Sequence, residues 1–482
     1  MLLAKNTDFL EKVANRHGLV TGATGTGKTV TIKKLCELFS EIGVPTFVTD
    51  IKGDLSGFIK PIDIDEKLNS YLEKRGLDSP QPKVYPTTFW DLYAKNGVPL
   101  RATVSEMGPL VLSKLLGLNE TQMGVLYSIF HIADEMGLLL LDYKDLDEMV
   151  KFVYENRQEF SKSYGNIASA TIGAIQRQLL VLREQGLDYF LGEPSLDIND
   201  FLKVDQNGYG KINVLDSRKI HTSPNLYAAF ILYLLSELLE KLPEVGDLDK
   251  PKLVFFFEEA HVLFEDAPKT LLNKIEQVVK LIRSKGVGIY FVTQNPRDIP
   301  QDILSQLSNK IQHALRVYSK VDEKALKTIS DSMYNPDNLN LEEEIKNLKV
   351  GEAIVSLLDD NFRPQAVEKV FINSPNSRIS PVEPEEIINH LNFENLYGKY
   401  RDTFDRESAF ELLRSKAKVQ EPVKQEQKQN DSGPQSFIEY MTKGKKSKMS
   451  PLDKMFQSTL NSIGRTVGRS ITRGILGSFK IK

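Results

Sequence analysis

The sequence predicts an α/β fold with a mostly parallel sheet, and three observations support this prediction. An apolar stretch, Gly18–Thr21, runs into a glycine-rich turn and then into a helical pattern that ends at Gly43. Residues 45–50 form a second apolar stretch, which ends in a carboxylate. Residues 253–257 and 289–293 have the length and composition of buried strands. A strand–helix–strand unit of about 30 residues is the repeat of a parallel sheet, so a parallel core is expected.

The rest of the chain divides into regions by its pattern. The α/β core is predicted to span residues 1–60 and 205–375, completed by a strand at 211–215, a helix at 225–242 and a late antiparallel hairpin at 351–357 and 366–372. Between the two core segments, residues 60–205 carry long helical patterns and few strand signals, which predicts a mainly helical insertion. The C-terminal part reads as an extension at 376–415, a disordered linker at 416–450 and a basic tail at 451–482.

The tail is predicted to be an amphipathic helix. Apolar residues recur every four positions, and arginines recur at the same interval two positions later, which places the two sets on opposite sides: Ile463, Val467, Ile471, Ile475, Phe479, Arg465, Arg469 and Arg473. Four glycines in this segment weaken an isolated helix. The tail is therefore expected to fold on a surface, such as its own oligomer, a partner protein, nucleic acid or an anionic membrane. The alternative is a frayed tail without a function.

Composition excludes several classes of protein. The chain of 482 residues has a net charge of -3, so it is not a uniformly basic nucleic-acid binder. Cys36 is the only cysteine, which excludes an intrachain disulfide framework and a cysteine-based zinc cluster. No run of 18 apolar residues occurs, so no membrane span is expected. The first 18 residues are interrupted by charges, unlike a signal peptide, and a cytoplasmic location is predicted.

The glycine-rich turn is a complete phosphate-binding motif. Gly22, Ala23, Thr24, Gly25, Thr26, Gly27, Lys28 and Thr29 match G-x-x-x-x-G-K-[ST] at every position. In this motif backbone N–H groups surround phosphate oxygens, the lysine reaches the β- and γ-phosphates, and the threonine hydroxyl ligates Mg²⁺. A chance glycine-rich turn would not be preceded by a strand and followed by a helix. The motif predicts binding of ATP and Mg²⁺.

Two carboxylates end the apolar stretch at 253–257. Glu258 is predicted to help hold the Mg²⁺ shell, and Glu259 to orient and deprotonate the attacking water. The alternative is a buried strand that ends in solvent-facing charge, and the phosphate-binding motif argues against it. The metal-side acid is more often aspartate, so Glu258 departs from the usual pattern. His261 reads as a surface histidine or one at a helix start.

Two further candidate catalytic residues lie on either side of the predicted strand at 289–293. Gln294 follows it and is the candidate sensor of the γ-phosphate, with a simple turn residue as the alternative. Arg283 precedes it at the end of a helical pattern. It is either an ordinary cation at a helix C-terminus or an arginine finger that enters a neighbouring subunit's site.

With these residues in place, the chain resembles the HerA/FtsK superfamily of P-loop ATPases, and more narrowly the bacterial HerA-like group. The matching segments cover most of residues 1–375 and lie at residues 14–21, 49–57, 105–109, 257–261, 283–288, 293–300 and 307–316. A short segment at 468–477 also matches. Family members of the HerA type carry an N-terminal β-barrel; because the motif begins at Gly22, no such domain is expected here.

The resemblance implies a RecA-like core that assembles into a hexameric ring, with nucleotide between subunits and DNA in the centre. It favours Arg283 as the finger that acts in the neighbouring subunit. It also makes Asp50 an active-site carboxylate and Arg16 a candidate on the nucleotide side. The expected function is an ATP-driven DNA translocase or helicase. The alternatives are a ring ATPase that moves or remodels protein, as secretion ATPases do, and a nucleotide-dependent switch or phosphotransferase.

Overall fold

A computed structural model describes residues 1–219, 224–265 and 269–419, and its main feature is a ten-stranded sheet. The strands run in the order β12-β11-β10-β3-β9-β8-β4-β7-β5-β6. Eight neighbouring strands, from β10 to β6, are parallel, and β11 and β12 add an antiparallel hairpin. The strands are β3 Gly18–Thr21, β4 Thr46–Asp50, β5 Thr87–Asp91, β6 Val98–Pro99, β7 Ile212–Asp216, β8 Leu253–Phe257, β9 Val287–Thr293, β10 Asn309–Gln312, β11 Glu352–Ser356 and β12 Glu368–Phe371. A separate two-stranded sheet pairs β1 Leu2–Ala4 with β2 Thr7–Asp8.

Helices connect these strands and form the rest of the described chain. The α-helices are α1 Lys28–Glu41, α2 Glu66–Glu73, α3 Val104–Leu115, α4 Glu120–Glu135, α5 Tyr143–Glu155, α6 Arg157–Tyr164, α7 Ser169–Glu184, α8 Leu187–Phe190, α9 Pro224–Lys241, α10 His261–Phe264, α11 Lys269–Ile282, α12 Gln301–Leu304, α13 Lys320–Asp331, α14 Leu341–Asn347, α15 Pro384–Leu391, α16 Asn395–Tyr400 and α17 Ala409–Val419. Short 3₁₀ helices lie at Glu11–Arg16, Leu55–Ile59, Ile198–Leu202, Arg283–Lys285 and Pro296–Asp298. Among the described residues, no helix combines the length and the apolar character that a membrane crossing requires.

The central strands are buried on both faces, which explains their continuous apolar sequences. Val254 and Phe256 of β8 lie in one buried cluster with residues of α1, the helix that follows the phosphate-binding motif. On the other face, the Phe47 ring of β4 lies 6.4 Å from the Phe230 ring of α9. Strand β9 lies between β3 and β8, so one strand separates the motif-bearing strand from the one that ends in the carboxylates. The predicted α/β core of RecA-like P-loop type, with its late hairpin, is confirmed.

The described residues divide into two compact units. The first comprises residues 1–100 and 196–402 and contains both sheets. The second comprises residues 101–195 and the described residues from 403 onward, and it contains helices α3 to α8 and α17. Every candidate site residue lies in the first unit.

The predicted boundaries of the helical insertion, 60–205, are wrong. Residues 60–100 belong to the first unit, and two strands of the main sheet, β5 and β6, lie within them. The sequence of β5 is Thr-Thr-Phe-Trp-Asp, which lacks the apolar run of a buried strand. Its polar side chains are buried with hydrogen bonds instead: Thr88 Oγ1 donates to Glu394 Oε2 at 2.8 Å. Pattern alone does not reveal a strand of this kind.

The C-terminal extension, predicted as one region at 376–415, is divided between the units at residue 402. Its first part is held to α1 by two buried charged side chains one helical turn apart. Lys33 donates to the carbonyl oxygen of Arg378, and Glu37 accepts the backbone N–H groups of Asn376 (2.7 Å) and Ser377 (2.8 Å). Helix α17 extends to Val419, past the predicted start of the linker at 416. The remainder of the linker and the tail at 451–482 lie outside the described residues.

Candidate active site

The phosphate-binding loop lies between β3 and α1 at the carboxyl edge of the sheet. Gly22, Gly25 and Gly27 all have positive φ, at 151°, 75° and 123°. A Cβ atom on Gly22 would lie 2.6 Å from the Cβ of His313, so only glycine fits there. Thr26 Oγ1 donates to the carbonyl oxygen of Ala23 at 2.7 Å and fixes the turn. The loop is therefore shaped so that backbone groups, rather than side chains, can approach a phosphate.

Lys28 and Thr29 begin α1 at the end of this loop. Lys28 Nζ donates to the carbonyl oxygens of Gly22 (2.5 Å) and Ala23 (3.1 Å). Burial, together with the charge of Lys52, lowers the pKa of Lys28 to about 8, although the charges of Glu259 and Glu258 act in the opposite direction. These interactions place the ammonium group near both predicted carboxylates. The Thr29 side chain lies in the first turn of α1 and is partly exposed.

A continuous chain of polar contacts joins the loop to the predicted general base. Thr24 Oγ1 donates to Gln294 Oε1 at 3.1 Å, and Gln294 Nε2 donates to Glu259 Oε1 at 3.2 Å. On its other side, Glu259 Oε2 lies 3.3 Å from His261 Nδ1. The backbone of Glu259 has a φ of 47°, an unfavourable conformation for a residue with a side chain. The structure thus brings together three residues predicted from separate segments, and it adds His261.

Glu258 and Asp50 lie deeper than Glu259, at the ends of the neighbouring strands β8 and β4. Glu258 is buried, and its Oε2 accepts the backbone N–H of Ile51 at 3.2 Å. Burial, together with the charge of Asp50, raises the pKa of Glu258 to about 8. Asp50 accepts backbone N–H groups from Gly53 (2.7 Å), Asp54 (3.1 Å) and Leu55 (3.0 Å). Because these bonds hold the turn after β4, the visible role of Asp50 is to shape the loop beside Glu258.

The donor set fits a magnesium ion of the kind that P-loop proteins bind. Burial and the charge of Asp50 disfavour the charged form of Glu258, and burial and the charge of Asp54 disfavour that of Asp50, so a divalent cation would relieve this repulsion. Among the described residues, no cluster of three or more His, Cys, Asp or Glu side chains could hold a metal by itself. Mg²⁺ commonly binds through one or two protein groups, with phosphate oxygens and water completing its shell. Thr29 and Glu258 would be those groups here.

Arg16 and Arg283 lie at the opposite edge of the sheet. Arg16 precedes β3 and Arg283 precedes β9, whereas the phosphate-binding loop and Gln294 follow these strands. A strand rises about 3.3 Å per residue, so the seven residues of β9 separate Arg283 from Gln294 by roughly 20 Å. Arg16 is predicted on the nucleotide side, but β3 separates it from the loop of its own chain, so the structure does not bring it into that cradle. Arg283 cannot reach the cradle of its own chain either, which agrees with a role in a neighbouring subunit.

The two arginines line one small cavity of about 130 Å³, together with Lys280, Ser305 and Phe362. The Arg16 guanidinium lies 4.1 Å from the centre of the Phe362 ring and binds Asp247 at 2.9 Å. Burial lowers the pKa of Arg16, and the charge of Arg283 adds to this effect. Two guanidinium groups that line one cavity offer several N–H donors to an anion.

Sequence reasoning missed His313, which lies directly beneath the loop. Its imidazole is buried, with Nε2 2.8 Å from Thr31 Oγ1 and Nδ1 2.9 Å from the carbonyl oxygen of Glu352. It therefore links α1, β11 and the back of Gly22. No pattern in the sequence distinguishes this histidine, because it follows β10, a strand without an apolar run. His261 was noted in the sequence, and only the fold shows its contact with Glu259.

Comparison with known proteins agrees with the family resemblance seen in the sequence. The DNA double-strand break repair helicase HerA of Saccharolobus solfataricus is 24% identical over 370 residues, which cover 73% of this chain and 64% of that protein. The protein of the same name from Sulfurisphaera tokodaii is 25% identical over 357 residues, which cover 70% of this chain and 62% of that protein. The match thus spans less than two thirds of the length of either relative.

Solved structures give weaker similarities. The bacterial conjugative coupling protein TrwBdeltaN70 aligns with a TM-score of 0.49 at 16% identity, covering 79% of this chain and 93% of that one. VirB4 of Thermoanaerobacter pseudethanolicus aligns with a TM-score of 0.47 at 15% identity, covering 74% and 88%. The family model described as helicase HerA-like C-terminal matches residues 4–482. Because this match covers nearly the whole sequence, the chain belongs to the helicase HerA-like C-terminal family.

Proposed function

We propose that this chain is a subunit of an ATP-hydrolysing ring motor that moves along DNA or unwinds it. The observation that carries the proposal is the contact chain from Thr24 through Gln294 to Glu259, beside a complete phosphate-binding loop. A carboxylate in this position can accept a proton from water, and the glutamine can contact the γ-phosphate of a nucleotide bound to the loop. These features support water as the phosphoryl acceptor, and they argue against a simple switch or a phosphotransferase.

In the proposed reaction each residue has a distinct task. The loop N–H groups and Lys28 hold the β- and γ-phosphates, and Glu259 orients the attacking water and takes its proton. Gln294, which contacts both the loop and Glu259, connects the presence of the γ-phosphate to the base. Thr29 and Glu258 would hold Mg²⁺, which when bound neutralises charge on the phosphates. Arg283 of a neighbouring subunit would stabilise the transition state.

DNA is the proposed track, and the support for it comes from relatives named as DNA double-strand break repair helicases. We place the motor in the cytoplasm and propose a hexameric ring. A motor that moves protein has the same catalytic requirements and is the main competing function. The two alternatives differ in which polymer stimulates hydrolysis.

The deciding experiment measures the ATPase rate of protein whose oligomeric mass is known. It is run without nucleic acid, with single-stranded DNA and with double-stranded DNA, with Glu259→Gln protein as the background control. We expect Mg²⁺-dependent hydrolysis that DNA stimulates and that the variant lacks. Hydrolysis that is independent of DNA would favour the protein-moving alternative, and no hydrolysis by oligomeric wild-type protein would refute the proposal.

A further inference from the structure

The direction of the bound triphosphate follows from the positions of the catalytic side chains. Glu259 and Gln294 follow β8 and β9, which lie on one side of β3 in the sheet, and β10 lies on the other side. For hydrolysis the γ-phosphate must face Glu259 and Gln294. The nucleoside end of the ligand is therefore directed away from them, toward the segment that leaves β10.

That segment runs directly beside the phosphate-binding loop. The backbone N–H of Ala23 donates to the carbonyl oxygen of Ala314 at 2.8 Å, just after β10 ends. Four residues later comes Tyr318, which is within about 14 Å of Ala314 even if the chain between them is fully extended. The segment that leaves β10 beside the loop thus carries an aromatic residue.

Tyr318 is presented to solvent on a fixed backbone. It is 88% exposed, which is unusual for an aromatic residue in an ordered segment. Its N–H donates to Asp322 Oδ2 at 3.0 Å, and Ser319 and Asp322 form the capping box that begins α13. A ring on a backbone ordered in this way loses little conformational entropy when a ligand stacks on it.

A second tyrosine near the loop is less suited to this role. Tyr71 donates through its hydroxyl to the carbonyl oxygen of Val350 at 3.1 Å, and the Arg75 guanidinium lies 3.8 Å from the centre of its ring. One face of that ring is thus already covered. We propose that Tyr318 is the platform on which the base of the bound nucleotide stacks, an inference that rests on the proposed function and assigns the base-binding part of the same site.

The test compares a ligand that has a base with one that has none. The dissociation constants of ADP and of inorganic tripolyphosphate are measured calorimetrically on the full chain, for wild type, Tyr318→Ala and Tyr318→Trp. Tyr334→Ala is the matched control, because Tyr334 is another exposed tyrosine and lies after α13. Base–aromatic stacking predicts about 5- to 150-fold weaker ADP binding by Tyr318→Ala, no change for tripolyphosphate and near-wild-type ADP binding by Tyr318→Trp.

The outcomes separate this inference from the proposed function. Unchanged ADP affinity in Tyr318→Ala, or an equal loss for ADP and tripolyphosphate, overturns the stacking role and leaves the ATPase proposal intact. An equal loss of ADP affinity in Tyr334→Ala also overturns it, because the effect would not belong to one ring. A wild-type chain that binds neither ligand overturns the proposed function, and this inference with it.

Discussion

Glu259 has an unfavourable backbone conformation, and both of its carboxylate oxygens contact neighbouring side chains. A non-glycine residue with φ of 47° costs about 1 to 3 kcal/mol, and such residues persist where the surrounding structure fixes them. Here the carboxylate lies between Gln294 and His261, at 3.2 and 3.3 Å. The strain is therefore consistent with a residue placed for chemistry.

Substitution of Glu259 separates nucleotide binding from hydrolysis. Glu259→Gln keeps the size of the side chain but cannot accept the proton of water, so we expect ATP to bind while turnover falls by about 10²- to 10⁴-fold. Lys28→Ala should instead weaken ATP binding itself. Filter binding and single-turnover hydrolysis measure the two steps. Glu323→Gln, at an exposed carboxylate on α13, is the control, and full turnover by Glu259→Gln would contradict the assignment of the base.

The environment of His17 leads to a prediction of how the free energy of unfolding depends on pH. Its Nδ1 accepts the backbone N–H of Ile289 at 3.0 Å, and its Nε2 is 2.8 Å from the carbonyl oxygen of Val279, so the neutral ring is satisfied. Burial lowers the pKa of His17 to about 4. As the pH falls, His17 takes up a proton near pH 6.5 in the unfolded chain, but only near pH 4 in the folded chain. The contribution of His17 to the free energy of unfolding is therefore complete above pH 6.5 and is lost as the pH falls toward 4.

Between pH 6.5 and 4, protonation of His17 should lower the free energy of unfolding by roughly 1.4 kcal/mol per pH unit. We expect His17→Asn to unfold at a lower temperature than wild type at pH 7.5, and the gap between the two proteins to narrow as the pH falls to 5. Thermal unfolding midpoints of both proteins measure this gap, and their difference cancels the other titrating groups. A gap that stays constant or widens over this range would contradict the assignment.

At the scale of elements, α1 has two tasks. Its first turn carries Lys28 and Thr29, and its middle holds the C-terminal extension through Lys33 and Glu37. A buried carboxylate that accepts two backbone N–H groups stabilises a segment strongly, because its removal leaves those donors without partners. The extension thus belongs to the same folded unit as the helix of the phosphate-binding motif.

Removal of Glu37 should therefore destabilise the first unit. We expect Glu37→Ala to cost about 3 kcal/mol, since the buried N–H of Ser377, the partly buried N–H of Asn376 and the Ser377 hydroxyl lose their acceptor. Glu37→Gln, which keeps one acceptor oxygen, should cost less. Thermal midpoints and the rate of limited proteolysis in residues 376–402 report the change. If Glu37→Ala matched the exposed-site control Glu73→Ala in both measurements, the anchoring role would be refuted.

The sequence predicts best those elements whose residue pattern follows directly from burial of apolar side chains. The sequence predicts strand β8 at 253–257, and the strand occupies those residues, because its five side chains are all apolar and all buried. Strands β5 and β10 were not predicted, since each buries polar side chains that tertiary hydrogen bonds satisfy. Asn309 of β10, for example, donates to the carbonyl oxygens of Val13 and His17. Such partners are distant in sequence and leave no local signal.

The residues of the candidate site also fall into two groups, those that the sequence predicts and those that only the fold reveals. The loop at 22–29 and the carboxylates that follow β8 are contiguous motifs, so their chemistry can be read from their spacing. His313 and the contact between Glu259 and His261 depend on how segments meet, and only the fold reveals them. Arg16 illustrates the reverse case, because it is close to the loop in sequence while the fold places it at the opposite edge of the sheet. A strand that runs between two residues places them at opposite edges of the sheet.

At the scale of the whole molecule, one chain carries the two halves of the proposed active site at opposite edges of the sheet. The cradle, Glu259 and Gln294 lie at the carboxyl edge of the parallel strands, whereas Arg283 and Arg16 lie at the amino edge. Such halves can meet only between two copies of the chain, as in a head-to-tail ring. The proposed hexamer would thus complete each site with arginines from a neighbour.

Subunit mixing tests this arrangement. An Arg283→Ala chain keeps an intact cradle, and a Glu259→Gln chain keeps an intact arginine, but a ring made of either alone has no complete site. An arginine finger contributes about 10³- to 10⁵-fold to the rate, so each variant alone should be nearly inactive. In a random equal mixture, half the cradles and half the fingers are intact, so ½ × ½, or about a quarter, of head-to-tail interfaces become complete.

We therefore expect the mixture to recover a substantial part of the wild-type ATPase rate. Co-purification through a tag on one chain verifies that mixed rings form. The control mixes the Glu259→Gln chain with a chain that carries both substitutions, in which no interface can be complete and no recovery is expected. Because the two halves lie roughly 20 Å apart within one chain, recovery in the first mixture alone requires that Arg283 act on a neighbour's nucleotide. Verified mixed rings without recovery, or an Arg283→Ala chain as active as wild type, would show that the site is not shared in this way.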